Sequence, residues 1–380
     1  MTRYSRVCLL ALMAIFCATA RNAFAQQNTP QKSSPMASEH VADRGVLLGL
    51  YLPDDADWDR VDNLNGGDKW VPEISAEPHG RYLTMWISKS GGALKIQAIN
   101  DLLVPRADGF WRVGRQIVKS AQYPESNYDE QFWAVPLGEK PKPSVEDSGS
   151  DGRTVRLITY VGPEYLSDTS HWQGGAGAWE YENAEVLSLH DLTKDMSVEE
   201  VLGPAAGAAY KRLAKSMDHM NEKTEDVCNC CTGDETRWGI LHVGDSWQTF
   251  ARFQYGPSSS CSQGSEDRVV PSAVLPKNLA PGGSLGRPWA DLRLEAEKVL
   301  KVNPGSVRHM FISPKKDLVV TLGTNGLAVL GVENLHIRNV LGVRVFEKPC
   351  IPVMEQWSVG LFVSAWENVM QKQPSAEMPQ

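Results

Sequence analysis

The residues with the most distinctive chemistry are five cysteines in the second half of the chain. Cys228, Cys230 and Cys231 lie within four positions, whereas Cys261 and Cys350 follow singly. In an oxidising compartment such cysteines form disulfides, and an odd number leaves one thiol over. The C-x-x-C spacing also suits a metal or thiol–disulfide exchange, but a structural zinc site needs a second ligand pair. The sequence therefore favours disulfides and leaves metal or redox chemistry as an alternative.

A second candidate for chemistry is the serine of Gly244-Asp245-Ser246. It follows a short apolar run, as does the nucleophile of Gly-Asp-Ser hydrolases. A strand that ends in a Gly-Asp-Ser turn explains the same residues. No Gly-x-Ser-x-Gly, His-Glu-x-x-His or Walker motif occurs, and the eight histidines are scattered. We therefore predict no catalytic residue, no metal site and no cofactor, and keep an envelope hydrolase that uses Ser246 as the alternative.

A glycine-rich turn between two aromatic segments is the candidate binding site. Glycines adopt backbone conformations closed to other residues and let a partner approach the chain. Tryptophan and tyrosine offer large contact areas with a polar edge. The candidate ligand-binding residues are His171, Trp172, Gly174, Gly175, Gly177, Trp179 and Tyr181. The alternative is a plain hairpin tip whose aromatic side chains turn into the sheet.

Strand-like segments should position this turn. Residues 153–161 alternate between inward and outward types, as a strand requires. Residues 164–172 and 179–189 form the two arms of the predicted hairpin. Helix signals follow, because Ser197 and Glu200 have the spacing of a capping box.

Further helices are predicted over residues 205–220 and 288–302, where apolar side chains recur at helical spacing. Residues 355–370 fit both a helix and a strand, and we expect a helix. Residues 81–87 and 93–100 flank Ser90-Gly91-Gly92 and predict a hairpin. Late apolar runs, including residues 340–346, predict closing strands.

These elements predict an α+β fold, with an antiparallel sheet packed by a few helices and a β-rich N-terminal lobe. The predicted segments are a signal peptide at 1–25, a disordered leader at 26–40, a β-rich lobe at 41–140, and an α+β domain at 150–372. A cysteine-bearing insertion covers about residues 221–288. The charged, Pro- and Gly-containing stretch 138–152 marks the boundary.

The N-terminus predicts export. Arg3 and Arg6 precede a 14-residue apolar stretch, and Ala23-Phe24-Ala25 has the pattern of a signal-peptidase site. Loss of residues 1–25 removes three arginines and no acid, so the formal charge changes from −8 to −11. Such a chain repels nucleic acid and anionic lipid and attracts basic partners. We expect a periplasmic or secreted protein without membrane insertion after cleavage, and the oligomeric state stays undetermined.

From about residue 153 to 350 the chain resembles a family of extracytoplasmic domains of unknown function that includes the C-terminal domain of the lysozyme-binding anti-sigma factor. The motifs that carry the resemblance are a β segment ending at Trp172, Gly174-Gly175-Ala176, Asn183, Leu187-Ser188-Leu189-His190-Asp191-Leu192, Met310-Phe311-Ile312-Ser313-Pro314 and Asp317-Leu318-Val319-Val320. This chain has Gly177 where the family usually has histidine. The resemblance implies an α+β fold and a role in ligand recognition.

The sequence thus predicts an exported, non-enzymatic protein that recognises a basic protein or a cell-envelope glycan. The glycine-rich turn would be its binding site. An envelope hydrolase is the second hypothesis, and a metal- or redox-active cysteine cluster is the third.

Overall fold

The computed structural model describes residues 43–53, 80–90, 92–122, 127–141, 152–174, 180–221, 237–255, 264–269, 275, 279–324, 326–346 and 349–376. Of these residues 58% lie in strands and 17% in helices. The predicted α+β class is therefore wrong, and the fold is β-rich. The reason is physical: most apolar faces of the sheets are buried against other sheets, so few helices are needed to cover them.

The strands in chain order are β1 (Arg44–Leu52), β2 (Arg81–Ser90), β3 (Ala93–Asn100), β4 (Leu102–Arg106), β5 (Gly109–Lys119), β6 (Tyr128–Pro136), β7 (Gly152–Val161), β8 (Tyr165–Gly174), β9 (Glu180–Ser188), β10 (Asp191–Asp195), β11 (Trp238–Val243), β12 (Ser246–Tyr255), β13 (Gly264–Val269), β14 (Val307–Ile312), β15 (Leu318–Gly323), β16 (Gly326–Glu333), β17 (His336–Val345) and β18 (Ile351–Val359). The helices are α1 (Val198–Leu202), α2 (Pro204–Asn221), α3 (Trp289–Leu300) and α4 (Leu361–Met370).

The strands form four sheets. Sheet A has the order β18-β1-β2-β3, sheet B has β10-β9-β8-β7-β6-β5-β4, sheet C has β11-β12-β13, and sheet D has β14-β15-β16-β17. Among the described strands every pairing is antiparallel except that of β6 with β7. Sheet A thus combines the first described strand with the last one.

Sheet A lies between two other sheets, and β1 shows why. Every residue of β1 is buried, and successive side chains of a strand point to opposite faces. Leu48 and Leu50 belong to a cluster with residues of sheet D, whereas Leu47 and Tyr51 belong to one with sheet B. Burial of each such side chain stabilises the fold by about 1.5–3 kcal/mol. A strand that is apolar on both faces is therefore the centre of the molecule.

Sheet B curls until its ends approach one another. Arg106, at the end of edge strand β4, donates to the carbonyl of Pro163 and bonds the imidazole of His190 at 2.5 Å. Its guanidinium also lies 4.7 Å from the ring centre of Trp111. Turns from both halves of the sheet therefore meet around one buried arginine.

Charged side chains brace the opposite end of sheet B. Arg115 pairs with Glu130 at 3.0 Å, and Arg156 pairs with Asp168 at 2.8 Å. Burial raises the pKa of both carboxyl groups, and the neighbouring arginine opposes that shift. Removal of one partner would leave the other charge buried and unpaired. These ion pairs therefore favour one arrangement of the strands.

The helices occupy the remaining apolar faces. Ser197 caps α1 through the predicted capping box with Glu200. Trp238 of sheet C donates its indole N–H to the carbonyl of Met196 at 2.7 Å, next to the face of α2. Helix α3 packs Leu292 and Ala296 onto sheet D. The ambiguous stretch 355–370 divides, since β18 continues to Val359 and α4 begins after Gly360.

Strands from both predicted lobes share sheet B, because Tyr128 and Asp129 of β6 pair with Arg153 and Thr154 of β7. All the described residues belong to one compact unit. The predicted signal peptide and leader, most of the predicted boundary and much of the cysteine-bearing insertion lie outside the described residues. Within the described part of the chain, no helix has the length and apolar character needed to cross a bilayer.

Candidate functional site

An open groove lies where α3 ends above sheet D. Lys301 terminates the helix in the left-handed conformation (φ 58°), and its N–H bonds the carbonyls of Glu297 and Lys298. Helix α3 therefore stops before it covers the far end of the sheet. The uncovered sheet surface and the chain that leaves the helix form the walls of the groove.

A buried carboxylate fixes the segment after the helix. One oxygen of Glu297 accepts the N–H of Gly305 at 2.8 Å and that of Val307 at 3.2 Å. Thr324 N–H bonds the carbonyl of Ser306 and ties this segment to the β15–β16 turn. These bonds hold the groove open before any ligand arrives, which reduces the ordering cost of binding.

Small residues of sheet D form the floor of the groove. Gly323 pairs with Gly326, and Thr321 pairs with Ala328. A side chain at position 323 would place its Cβ 2.4 Å from the carbonyl oxygen of Ser306. Gly323 is therefore needed where the segment after α3 crosses the sheet, and Gly326 is needed because its added Cβ would lie 2.2 Å from the carbonyl oxygen of Arg344.

The groove has a volume of about 300 Å³, at the lower end of the range for small-ligand sites, roughly 300–1,000 Å³. Its apolar lining is Leu300, Val302, Val307, Leu327, Ala328 and Val343. Its polar lining is Lys301, Asn303, Ser306, Thr321 and Thr324. Among the described lining residues there is no carboxylate, imidazole or thiol, so they offer contact surface and hydrogen bonds rather than an acid–base pair. We call this site the helix-end groove.

Exposed valines continue the apolar surface beyond the groove. Val343, in the lining, is 56% exposed, and Val345 and Val340 on the same strand are 71% and 41% exposed. Val302 faces solvent from the other wall. Contiguous exposed aliphatic side chains of this kind mark interaction surfaces.

A second polar cluster, the four-sheet junction, is closed by contrast. Trp247 of sheet C donates its indole N–H to Glu355 of sheet A at 2.9 Å and packs edge-on against Tyr160 of sheet B at 5.0 Å. It also packs on His242, whose Nδ1 lies 3.2 Å from Nδ1 of His309 in sheet D. We define the junction by these five residues. They join all four sheets.

Burial sets the charge states at the junction. It raises the pKa of Glu355 to about 7 and lowers that of His309 to about 3. The pKa of His242 also falls well below its ordinary value, because of burial and the neighbouring His309. Trp357 donates a second indole N–H to Glu355 at 2.5 Å. The junction is thus a dry cluster with neutral imidazoles near pH 7.

The Gly-Asp-Ser segment next to the junction forms a turn. Gly244 has φ 62°, and its carbonyl accepts the N–H of Met310 at 2.8 Å, which links sheets C and D. Ser246 is exposed, and the hydrogen bond recorded for its hydroxyl comes from Gln248 at 3.5 Å. Among the described residues no imidazole is recorded on that hydroxyl, and the hydrolase hypothesis stays a prediction.

The predicted binding residues lie in sheet B, away from the groove. His171, Trp172 and Gly174 belong to β8, and Tyr181 of β9 is the register partner of Trp172. Trp172 lies against Gly174, 3.0 Å from the position of an added Cβ. The other predicted binding residues, Gly175, Gly177 and Trp179, lie outside the described residues.

Of the five cysteines predicted to form disulfides, Cys350 alone belongs to the described part of the chain. It is buried between sheets A and D, and burial raises the pKa of its thiol to about 12. Cys228, Cys230, Cys231 and Cys261 lie outside the described residues. No group of three potential metal ligands occurs among the described residues.

Sequence reasoning missed the helix-end groove. The predicted helix 288–302 extends past the true end at Leu300, and the apolar residues of the groove lining are of types normally assigned to a core. The available signal was Gly323-Thr324-Asn325-Gly326, which marks a turn with little side-chain volume. No protein-family model, curated protein or solved structure matches this chain.

Proposed function

We propose that this is a non-enzymatic recognition protein that holds an apolar group of its partner in the helix-end groove. The observation that carries the proposal is the groove itself: a braced, open depression with an aliphatic lining and exposed valines at its rim. Aliphatic contacts supply affinity there, and hydroxyl and amide groups orient the ligand. The buried acids and imidazoles are engaged in joining the sheets.

The partner is a protein or a cell-envelope glycan met outside the cytoplasm, in keeping with the predicted export signal. The acidic surface draws a basic partner over long range, and this contribution fades with salt. Contact with the groove buries apolar area and persists at physiological salt. The two contributions can therefore be separated by experiment.

The test is a binding panel with purified protein at low and physiological salt. The protein arm contains a c-type lysozyme and a library of displayed random decapeptides, and the glycan arm contains peptidoglycan fragments. Cytochrome c is the charge-matched control. We expect saturable binding in one arm that survives physiological salt and weakens about tenfold in Val343→Glu.

Leu294→Glu is the matched variant, because it adds the same charge at an aliphatic side chain of α3 that is 53% exposed and lies outside the groove lining. Equal losses in the two variants would mean that charge, not the groove, decides binding. The proposal would be overturned if no ligand in the panel bound more tightly than cytochrome c. It would also be overturned if Val343→Glu left the affinity unchanged.

A further inference from the structure

The strand beside the groove has an unused edge. Within the described part of the chain, β17 pairs with β16 on one side and with nothing on the other. Its burial pattern is exposed nearly throughout, and Ile337 is its one fully buried residue. Proteins usually protect such an edge with proline, a short strand, charged side chains, a bulge or a covering loop, because open N–H and C=O groups pair with other chains. Strand β17 carries two exposed arginines and two irregularities in its pairing, so its regular part is the segment open to a partner.

The part of β17 next to the groove is regular. Residues 342–345 pair without interruption with residues 326–329, whereas irregularities lie farther along, at Leu330 and Val332 of β16. Val343 points to the face that carries the groove, and it alternates with Arg344 on the other face. A ligand strand on this segment would thus place every second side chain towards the groove.

The charged side chains that β17 carries at this edge are all positive. Lys301, Arg338 and Arg344 are exposed, and none of them belongs to an ion pair recorded among the described residues. The segment 336–345 contains no acid. An opposite charge on a neighbouring strand contributes roughly 0.2–1 kcal/mol, and a like charge costs a similar amount. The edge therefore suits a strand that is locally acidic, and the basic character expected of the partner lies on the rest of its surface.

We propose that the occupant is an extended segment of another polypeptide, with alternating apolar and acidic side chains. It joins sheet D as a fifth strand beside β17. One of its apolar side chains enters the helix-end groove, and acidic ones lie near Arg344 and Arg338. Main-chain hydrogen bonds supply affinity and the groove supplies selectivity.

A second copy of this chain fits the edge less well. Pairing β17 with its own copy would bring Arg338 and Arg344 of each copy beside the cations of the other, with no acid on either strand. This inference rests on the proposed function and specifies the partner as a peptide strand.

The experiment starts from decapeptides enriched by display against the full-length protein. The strongest binder is synthesised with N-methyl groups at single positions along its length, which remove one main-chain donor each. We expect losses of about tenfold at every second position and small effects between them, the pattern of strand pairing. Hydrogen exchange should slow at amides within residues 342–345, and Arg344→Glu should weaken binding while Glu295→Gln does not.

Three outcomes would overturn the inference. Binding that depends on Val343 but shows no alternating effect of N-methylation and no protection of β17 would leave the proposed function and remove the strand pairing. Enrichment of basic rather than acidic peptides would contradict the charge argument. A concentration-dependent dimer that Val343→Glu dissociates would identify a second copy as the occupant.

Discussion

The four-sheet junction and the helix-end groove both use strand β14, through His309 and Val307 respectively, but their chemistry is opposite. The junction gathers imidazole, indole, phenol and carboxylate groups and buries them between four sheets. The groove leaves Val302 and Val343 exposed, while the rest of its aliphatic lining is buried or half-buried. Reactive residue types here hold the fold together, whereas residue types usually assigned to a core form part of the accessible surface. Residue type alone therefore does not separate the two roles.

The largest effect should follow from the loss of Trp247. Trp247→Ala removes contacts to residues of three other strands and leaves Glu355 with one indole donor, so we expect a loss of about 3–5 kcal/mol in the free energy of unfolding. Urea titration followed by circular dichroism measures it. Trp133→Ala is the matched control, since Trp133 is half-buried over Gly114 on sheet B. Equal losses of unfolding free energy in the two variants would show that the junction contributes no more to stability than other packed tryptophans.

A pH profile of stability should isolate Glu355. Because its folded pKa, about 7, exceeds its unfolded value of about 4.3, the unfolded chain releases the proton first. Stability from this group is then full below pH ~4 and is lost as pH rises to ~7, by up to about 3 kcal/mol. Glu355→Gln cannot titrate, so its stability should change less between pH 5 and 8. A wild-type slope retained in Glu355→Gln would refute this.

Protonation of the buried histidines should lower the stability of the fold at acidic pH. The folded pKa of His309 is about 3, below the unfolded value near 6.5. Its contribution is present above pH ~6.5 and is lost as pH falls towards ~3. In His309→Gln the free energy of unfolding should therefore fall less as the pH is lowered from 6.5 to 3. A steeper fall than in the wild type would contradict the neutral state of His242 and His309.

The smallest effect on stability should occur at the groove. Val343→Ser replaces a side chain that is more than half exposed, so the free energy of unfolding should change by less than about 0.5 kcal/mol. The pH profile should match the wild type. Thermal unfolding at several pH values checks both points, and a loss as large as that of Trp247→Ala would place the groove in the core.

Local patterns in the sequence anticipated several elements. Residues 153–161 alternate and form β7, and Ser197 with Glu200 forms the capping box. The stretch 355–370 showed both periods because it contains both structures, with a strand to Val359 and a helix from Leu361. Local periodicity could not reveal this boundary in advance, because each period fits the whole stretch.

Contacts between segments that are distant in the sequence could not be predicted from such local patterns. The fold class was wrong because periodicity reports where a strand lies and not whether a sheet or a helix covers it. The helix-end groove depends on where α3 stops relative to Gly323 and Gly326, and that distance is a tertiary property. The junction likewise unites His242, His309 and Glu355 from three separate parts of the chain.

The pairing of β1 with β18 has a consequence for how the chain folds. Ser358 bonds the carbonyl of Gly45 across a separation of 313 residues, so the central sheet cannot close until nearly the whole polypeptide is available. Until then the largely apolar strand β1 lacks one of its two neighbouring strands. Such long-range closure is slow and invites aggregation. A chain truncated before β18 should therefore accumulate as insoluble material.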